Sequence, residues 1–177
     1  MKGTKVAGRY ATALLELAIE QNKIEQVSAD MKYLLEANNE TRDFQLLLDS
    51  PIVNASKKIA IFEEVFGQFE ELSMSFVKLI TENGRESFLA DIAETFDAKV
   101  KEYKGIVPVT LITAVPMAES TKNIILEKVE KSVKGQLEVT ELIDESLIGG
   151  FIVRMGDKQI DASVASQFND LKQRLTR

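Results

Sequence analysis

The chain contains no cysteine and no histidine in 177 residues. Without cysteine there can be no disulfide framework, thiolate nucleophile or thiolate-bound zinc. Without histidine the commonest general base and metal ligand is missing as well. Glycine-rich phosphate loops of the GxxxxGK[ST] or GxGxxG type are absent, so any chemistry would have to run on Asp, Glu, Lys, Tyr or Ser. The expectation is a non-enzyme with no cofactor and no bound metal. No stretch approaches the roughly 18 to 20 consecutive apolar residues of a membrane helix, and residues 1–5 are not followed by a signal-type apolar run, so neither direct membrane insertion nor export is expected. Basic residues number 22 against 28 acidic ones, a net charge of −6 with no long basic run, which argues against a nucleic-acid partner. Internal repeats and low-complexity tracts are missing too.

What is present is a 45% apolar composition, enough to bury a core in one domain or two small ones. The first hundred residues read as six helices with short connections, which predicts a compact six-helix bundle over residues 1–104. Thr4 is placed to cap a helix over residues 5–21, and a second runs from Ile24 to about Asn38. A third, Thr41 to Leu48, ends at Ser50-Pro51, where proline disfavours helix in the residue before it. Asn54 caps a fourth that closes at Gly67. The fifth, Glu70 to Glu82, stops at Asn83-Gly84, and Ser87 caps the sixth, Phe88 to Tyr103.

Two of these helices carry more apolar surface than one core needs. At 100° per residue, Val6, Ala7, Tyr10, Ala11, Ala13, Leu14, Leu15, Leu17, Ala18 and Ile19 cover roughly 240° of the first helix. Leu72, Met74, Phe76, Val77, Leu79 and Ile80 cover roughly 220° of the fifth. A helix lying on a core needs a stripe only somewhat wider than about 100°. Either both helices are central and buried nearly all round, or each packs its middle inward and leaves a shoulder for a partner. In the second case Val6, Tyr10, Ala13 and Leu17 on one helix, with Leu72, Phe76 and Leu79 on the other, would line a groove for the apolar face of a foreign amphipathic helix.

After Gly105 the period changes. Residues 106–113 form a β-branched, nearly continuous apolar run, as in a strand buried on both faces and ended by Pro116. A helix follows from Ser120 to about Val133, closed by Gly135, then a half-buried strand from Leu137 to Ile143. Phe151-Ile152-Val153, the Gly156-Asp157 turn and Gln159-Ile160 predict a β-hairpin. Gly149-Gly150 before it suits a bulge or a close backbone approach. Asp161 and Ser163 can cap a last helix with Val164, Phe168, Leu171 and Leu175 on one side. The fold class is therefore α+β, with a helical bundle followed by a small C-terminal α/β unit at residues 105–177.

The segment Leu147-Ile148-Gly149-Gly150, a short strand, Gly156-Asp157, then Ile160-Asp161-x-Ser163 resembles the C-terminal signature of the delta subunit family of F-type ATP synthase, called OSCP in mitochondria. Arg9-Tyr10-Ala11, Ser50-Pro51, Glu82-Asn83-Gly84-Arg85 and Ala114-Val115-Pro116 resemble that family's other landmarks in the same order, so the likeness covers essentially the whole chain. The resemblance implies a non-catalytic stator connector. Its first and fifth helices would hold the N-terminal helix of an alpha subunit of the catalytic head. Its C-terminal unit, around Leu147, Gly149, Gly150, Gly156, Asp157, Asp161 and Ser163 and the last helix, would meet the b subunits of the peripheral stalk. It also implies a peripheral position at the cytoplasmic face of a bacterial plasma membrane, the missing Arg- and Ser-rich leader speaking against an organellar precursor. A second reading is a helical RNA-binding or antitermination-like regulator, which the acidic balance opposes. The carboxylates Asp144, Glu145, Asp157 and Asp161 read as turn and cap residues, with an enzyme site a distant third.

Overall fold

The computed structural model describes residues 2–130, 135–156 and 158–175. The chain divides into two compact units, Met1–Val100 and Lys101–Arg177, so the division falls in the last turn of a helix a few residues before Gly105. The architecture mixes eight α-helices with one four-stranded sheet among the described residues.

In the first unit the helices are α1 (Lys2–Glu20), α2 (Ile24–Glu40), α3 (Arg42–Asp49), α4 (Ala55–Val65), α5 (Glu71–Glu82) and α6 (Leu89–Tyr103). They share one apolar core. Ala7, Ala11, Leu14 and Ala18 of α1 are fully buried in it, with Met31 and Leu34 of α2, Phe62 of α4, Ile80 of α5 and Phe96 of α6. Small residues along α1 let its neighbours come close. The helix ends follow local chemistry. Asn22 takes a left-handed φ of 55°, and Lys23 N–H bonds Ala18 carbonyl at 2.9 Å, a Schellman closure of α1. Ser50 is extended ahead of Pro51, which ends α3. Asn54 caps α4 by accepting from Lys57 N–H at 3.1 Å. Gly84, at φ 65°, closes α5 with Arg85 N–H on Ile80 carbonyl.

Two expected caps sit elsewhere. The first helix begins at Lys2, so Thr4 lies inside its first turn. Ser87 is the middle of a 3₁₀ turn, Glu86–Phe88, that leads into α6 at Leu89. Both shifts are of the one- to three-residue size by which weak local signals misplace helix ends.

In the second unit the strands are β1 (Ile106–Thr113), β2 (Gln136–Ile143), β3 (Phe151–Met155) and β4 (Lys158–Asp161), with α7 (Glu119–Glu130) between β1 and β2 and α8 (Val164–Leu175) at the end. The order is β2-β1-β3-β4, with β1 and β2 parallel and the other pairs antiparallel. A helical crossover is what a parallel pair requires. Val109, Leu111 and Val153 of the sheet pack on Ile125 and Val129 of α7. The expected end of α7 at Val133 lies outside the described residues.

Burial on both faces of β1 holds only for its second half. Leu111, Ile112 and Thr113 are buried in succession, whereas in the first half only Val109 is buried and Pro108 is exposed. The cause is register, since β3 pairs only with Thr110 to Thr113, which leaves residues 106–109 bonded on one side to β2. Proline, lacking an N–H, is tolerated at such a half-open edge.

Candidate functional site

The seven groove residues divide by exposure. Phe76 is 6% exposed and anchors α5 in the core; Val6, Tyr10 and Leu72 are half-buried; Ala13, Leu17 and Leu79 are exposed, the two leucines at 42% and 49%. Tyr10 meets Phe76 edge to face with ring centroids 6.4 Å apart. On each helix the exposed apolar flank lies about 105 to 120° to the same rotational side of the buried stripe. Because Tyr10 in the first half of α1 touches Phe76 and Arg85, while Gln21 and Lys23 beyond its end line one hollow with Glu71, Leu72 and Ser75, the two helices run in opposite senses. Opposite sense turns the two flanks toward each other. Their leucines and alanine thus lie along one apolar strip with Tyr10 and Phe76 at its floor.

Arg85 closes one end of this strip. Its Nη1 donates to Tyr10 Oη at 2.6 Å and its guanidinium carbon stands 5.5 Å from the centre of that ring. The Schellman closure at Gly84 aims it there. Directly after it, Glu86 Oε1 accepts at 2.6 Å from Lys58 Nζ, which is 1% exposed and also donates to Leu48 carbonyl at 3.0 Å. That buried pair ties the end of α3, α4 and the 3₁₀ turn together. At the other end Lys23 Nζ donates to Glu70 Oε1 at 2.5 Å. The hydrogen bond, with the Coulombic attraction adding to it, raises the Lys23 pKa and lowers that of Glu70.

Neither contact was legible beforehand. Arg85 stood in the Glu82-Asn83-Gly84-Arg85 motif, but its partner is 75 residues away. Lys58 is one of two adjacent lysines in the first turn of α4, and its partner Glu86 is 28 residues away.

In the second unit the expected residues fall into two groups. Gly150 has φ 82°, and a Cβ on it would collide with Ala162 carbonyl oxygen and come within 2.9 Å of Ser163 Cα. Gly149 carbonyl accepts from Val164 N–H at 3.0 Å. Of the two readings of this pair, bulge or close approach, the second holds, and the approaching backbone is the chain's own entry into α8. Asp161 Oδ1 accepts from Ser163 N–H at 2.8 Å and Oδ2 from Ser166 Oγ at 2.7 Å, while Ser163 Oγ caps Ser166 N–H at 3.2 Å. The Ser166 hydroxyl, followed by the Ser163 groups, holds the Asp161 carboxyl below its ordinary range. Asp144 is lowered likewise by Ser146. Both are turn and cap residues. Leu147 is half-buried and Gly156 has the positive φ of 53° its turn requires; Asp157 lies outside the described residues. On α8 Val164, Phe168 and Leu171 are exposed, Phe168 at 67%, and Ile124, Leu142, Ile143, Ile148 and Ile160 elsewhere in the unit are exposed as well.

No helix among the described residues is long and apolar enough to cross a membrane. Residues 6–175 match the family model described as ATP synthase delta (OSCP) subunit. The ATP synthase subunit delta of Cytophaga hutchinsonii is 34% identical over 177 residues, covering 99% of this chain and 97% of that protein. That of Christiangramia forsetii is 33% identical over 175 residues, covering 99% and 95%. A chain in the cryo-EM structure of the Toxoplasma gondii mitochondrial ATP synthase hexamer superposes with a TM-score of 0.75 at 26% identity, covering 97% of both chains. By sequence and fold alike the chain belongs to the ATP synthase delta (OSCP) family of non-catalytic subunits.

Proposed function

We propose that this chain is the stator connector between the catalytic head and the peripheral stalk of a rotary ATP synthase. The N-terminal unit is a six-helix bundle, residues 1–104 by its sequence pattern, whose α1 and α5 clasp the N-terminal helix of an alpha subunit. The C-terminal unit, residues 105–177, meets the b subunits through the exposed stripe of α8, with Gly149 and Gly150 fixing how the chain enters that helix. Rotation of the central shaft drags the head with it, so torque is useful during proton-driven synthesis only if the head is tethered to the membrane sector. The site is the cytoplasmic face of a bacterial plasma membrane, reached through partners and not by insertion.

The observation that carries this reading is the strip of Ala13, Leu17 and Leu79 left open beside a buried aromatic floor, in a chain of the delta family. An interface of about 1,200 to 2,000 Å² with a buried apolar centre reaches nanomolar affinity, roughly 12 kcal/mol, and two such contacts in series hold against torque. The test is bridging. Tagged b subunits should retain alpha-containing heads when the chain is present and lose them when it is left out; equal retention without it would remove the connector role. The regulator reading draws no support from the net charge of −6.

A further inference from the structure

We infer that the helix held by α1 and α5 is selected by charge as well as by its apolar face, and that it carries a carboxylate that pairs with Arg85. This rests on the groove reading above and adds the chemistry of the occupant. Arg85 is exposed at the end of the strip, spends one N–H on Tyr10 and forms no ion pair among the described residues. The adjacent Glu86 is taken up by Lys58, and Glu82, three residues earlier, is exposed and does not bond it. A guanidinium whose ring contact and hydrogen bond already fix its plane presents its remaining N–H donors as a preset fork, the geometry that grips a carboxylate in two parallel bonds.

The rim of the strip supports a direction. Arg9, next to Tyr10, is exposed, so the Arg85 end carries two arginines against one exposed acid, Glu82. At the far end Glu16 and Glu20 of α1 and Glu71 of α5 are exposed, and the one lysine there, Lys23, is taken up by Glu70. The occupant therefore lies with its acidic turn over Tyr10 and Arg85 and any basic turn over Glu16, Glu20 and Glu71. Complementary charge of this kind sets orientation and suppresses the reversed mode.

The experiment titrates the full chain with a synthetic peptide of the alpha subunit's N-terminal segment, by calorimetry at two salt concentrations. Arg85→Ala should weaken binding about tenfold, as for loss of hydrogen bonds to a charged group, and should flatten the salt dependence. Arg85→Lys, which keeps the charge without the fork, should fall between. Tyr10→Phe should cost less than Arg85→Ala, because the ring that supports the guanidinium remains. Arg85→Glu should bind worst, and one peptide in which a single Asp or Glu is changed to Lys should restore it. Leu79→Asp is the control for the groove itself. If Leu79→Asp abolishes binding while Arg85→Ala and Arg85→Glu match the parent, the groove stands and this inference falls. If the parent chain does not bind the peptide, or Leu79→Asp binds as the parent does, the groove reading fails and takes this inference with it.

Discussion

Lys58 and Glu86 form an ion pair at 2.6 Å with the lysine almost wholly enclosed and the second carboxylate oxygen, Oε2, buried without a partner. Two charges withdrawn from water are tolerable only together. Lys58→Met should therefore destabilise the chain by about 3 to 5 kcal/mol, since it strands Glu86. The double change with Glu86→Gln should recover much of that loss. Urea denaturation of the two variants measures both, and an unchanged midpoint for Lys58→Met would mean the pair contributes nothing.

Gly150 occupies a left-handed conformation with the backbone of Ala162 and Ser163 against it. Gly150→Ala adds a methyl where no space exists and strains φ, so a loss of about 1 to 3 kcal/mol is expected. Gly84→Ala meets open space and suffers only the strained φ, so it should cost less. Thermal melting of both glycine variants orders them, and the reverse order would contradict the close packing described.

The start of α8 should be sensitive to acid. The Asp161 carboxyl is held below its ordinary value, first by the Ser166 hydroxyl and then by Ser163, so it contributes stability in full above the pKa of an unfolded aspartate. That contribution is lost as pH falls through the lowered value, below about 4. Amide exchange at residues 163–166 should quicken over that range, and Asp161→Asn should remove the pH dependence. A flat profile in the parent would contradict the capping role.

How far the sequence could be read depended on whether a signal was local. The bounds of β1, Ile106 to Thr113, were visible because a β-branched run lies between Gly105 and Pro116. Asn54 and the Asn83-Gly84 stop were visible for the same reason, as both act within four residues. Thr4 and Ser87 misled because cap preference is a weak local signal, while α1 begins at Lys2 and a 3₁₀ turn precedes α6. The sheet order was beyond reach, since it leaves no mark on the residues of a strand, whereas the half-open first part of β1 left one in Pro108, which lacks the N–H a central position needs. At the candidate groove, helical period picked out the flanks of α1 and α5. The contact of Tyr10 with Arg85 joins residues 75 apart and became visible only with the fold.

The central claim is that the strip beside Tyr10 holds a foreign helix, and calorimetry with the alpha-subunit N-terminal peptide tests it most directly. Ala13 and Leu79 are both exposed, so aspartate at either position should leave the melting temperature of the chain within a few degrees of the parent. The same changes put an unpaired charge into a desolvated contact and should weaken peptide binding by several kcal/mol. Folded variants that bind the peptide as tightly as the parent would contradict the account, and variants that unfold would show that these positions belong to the core.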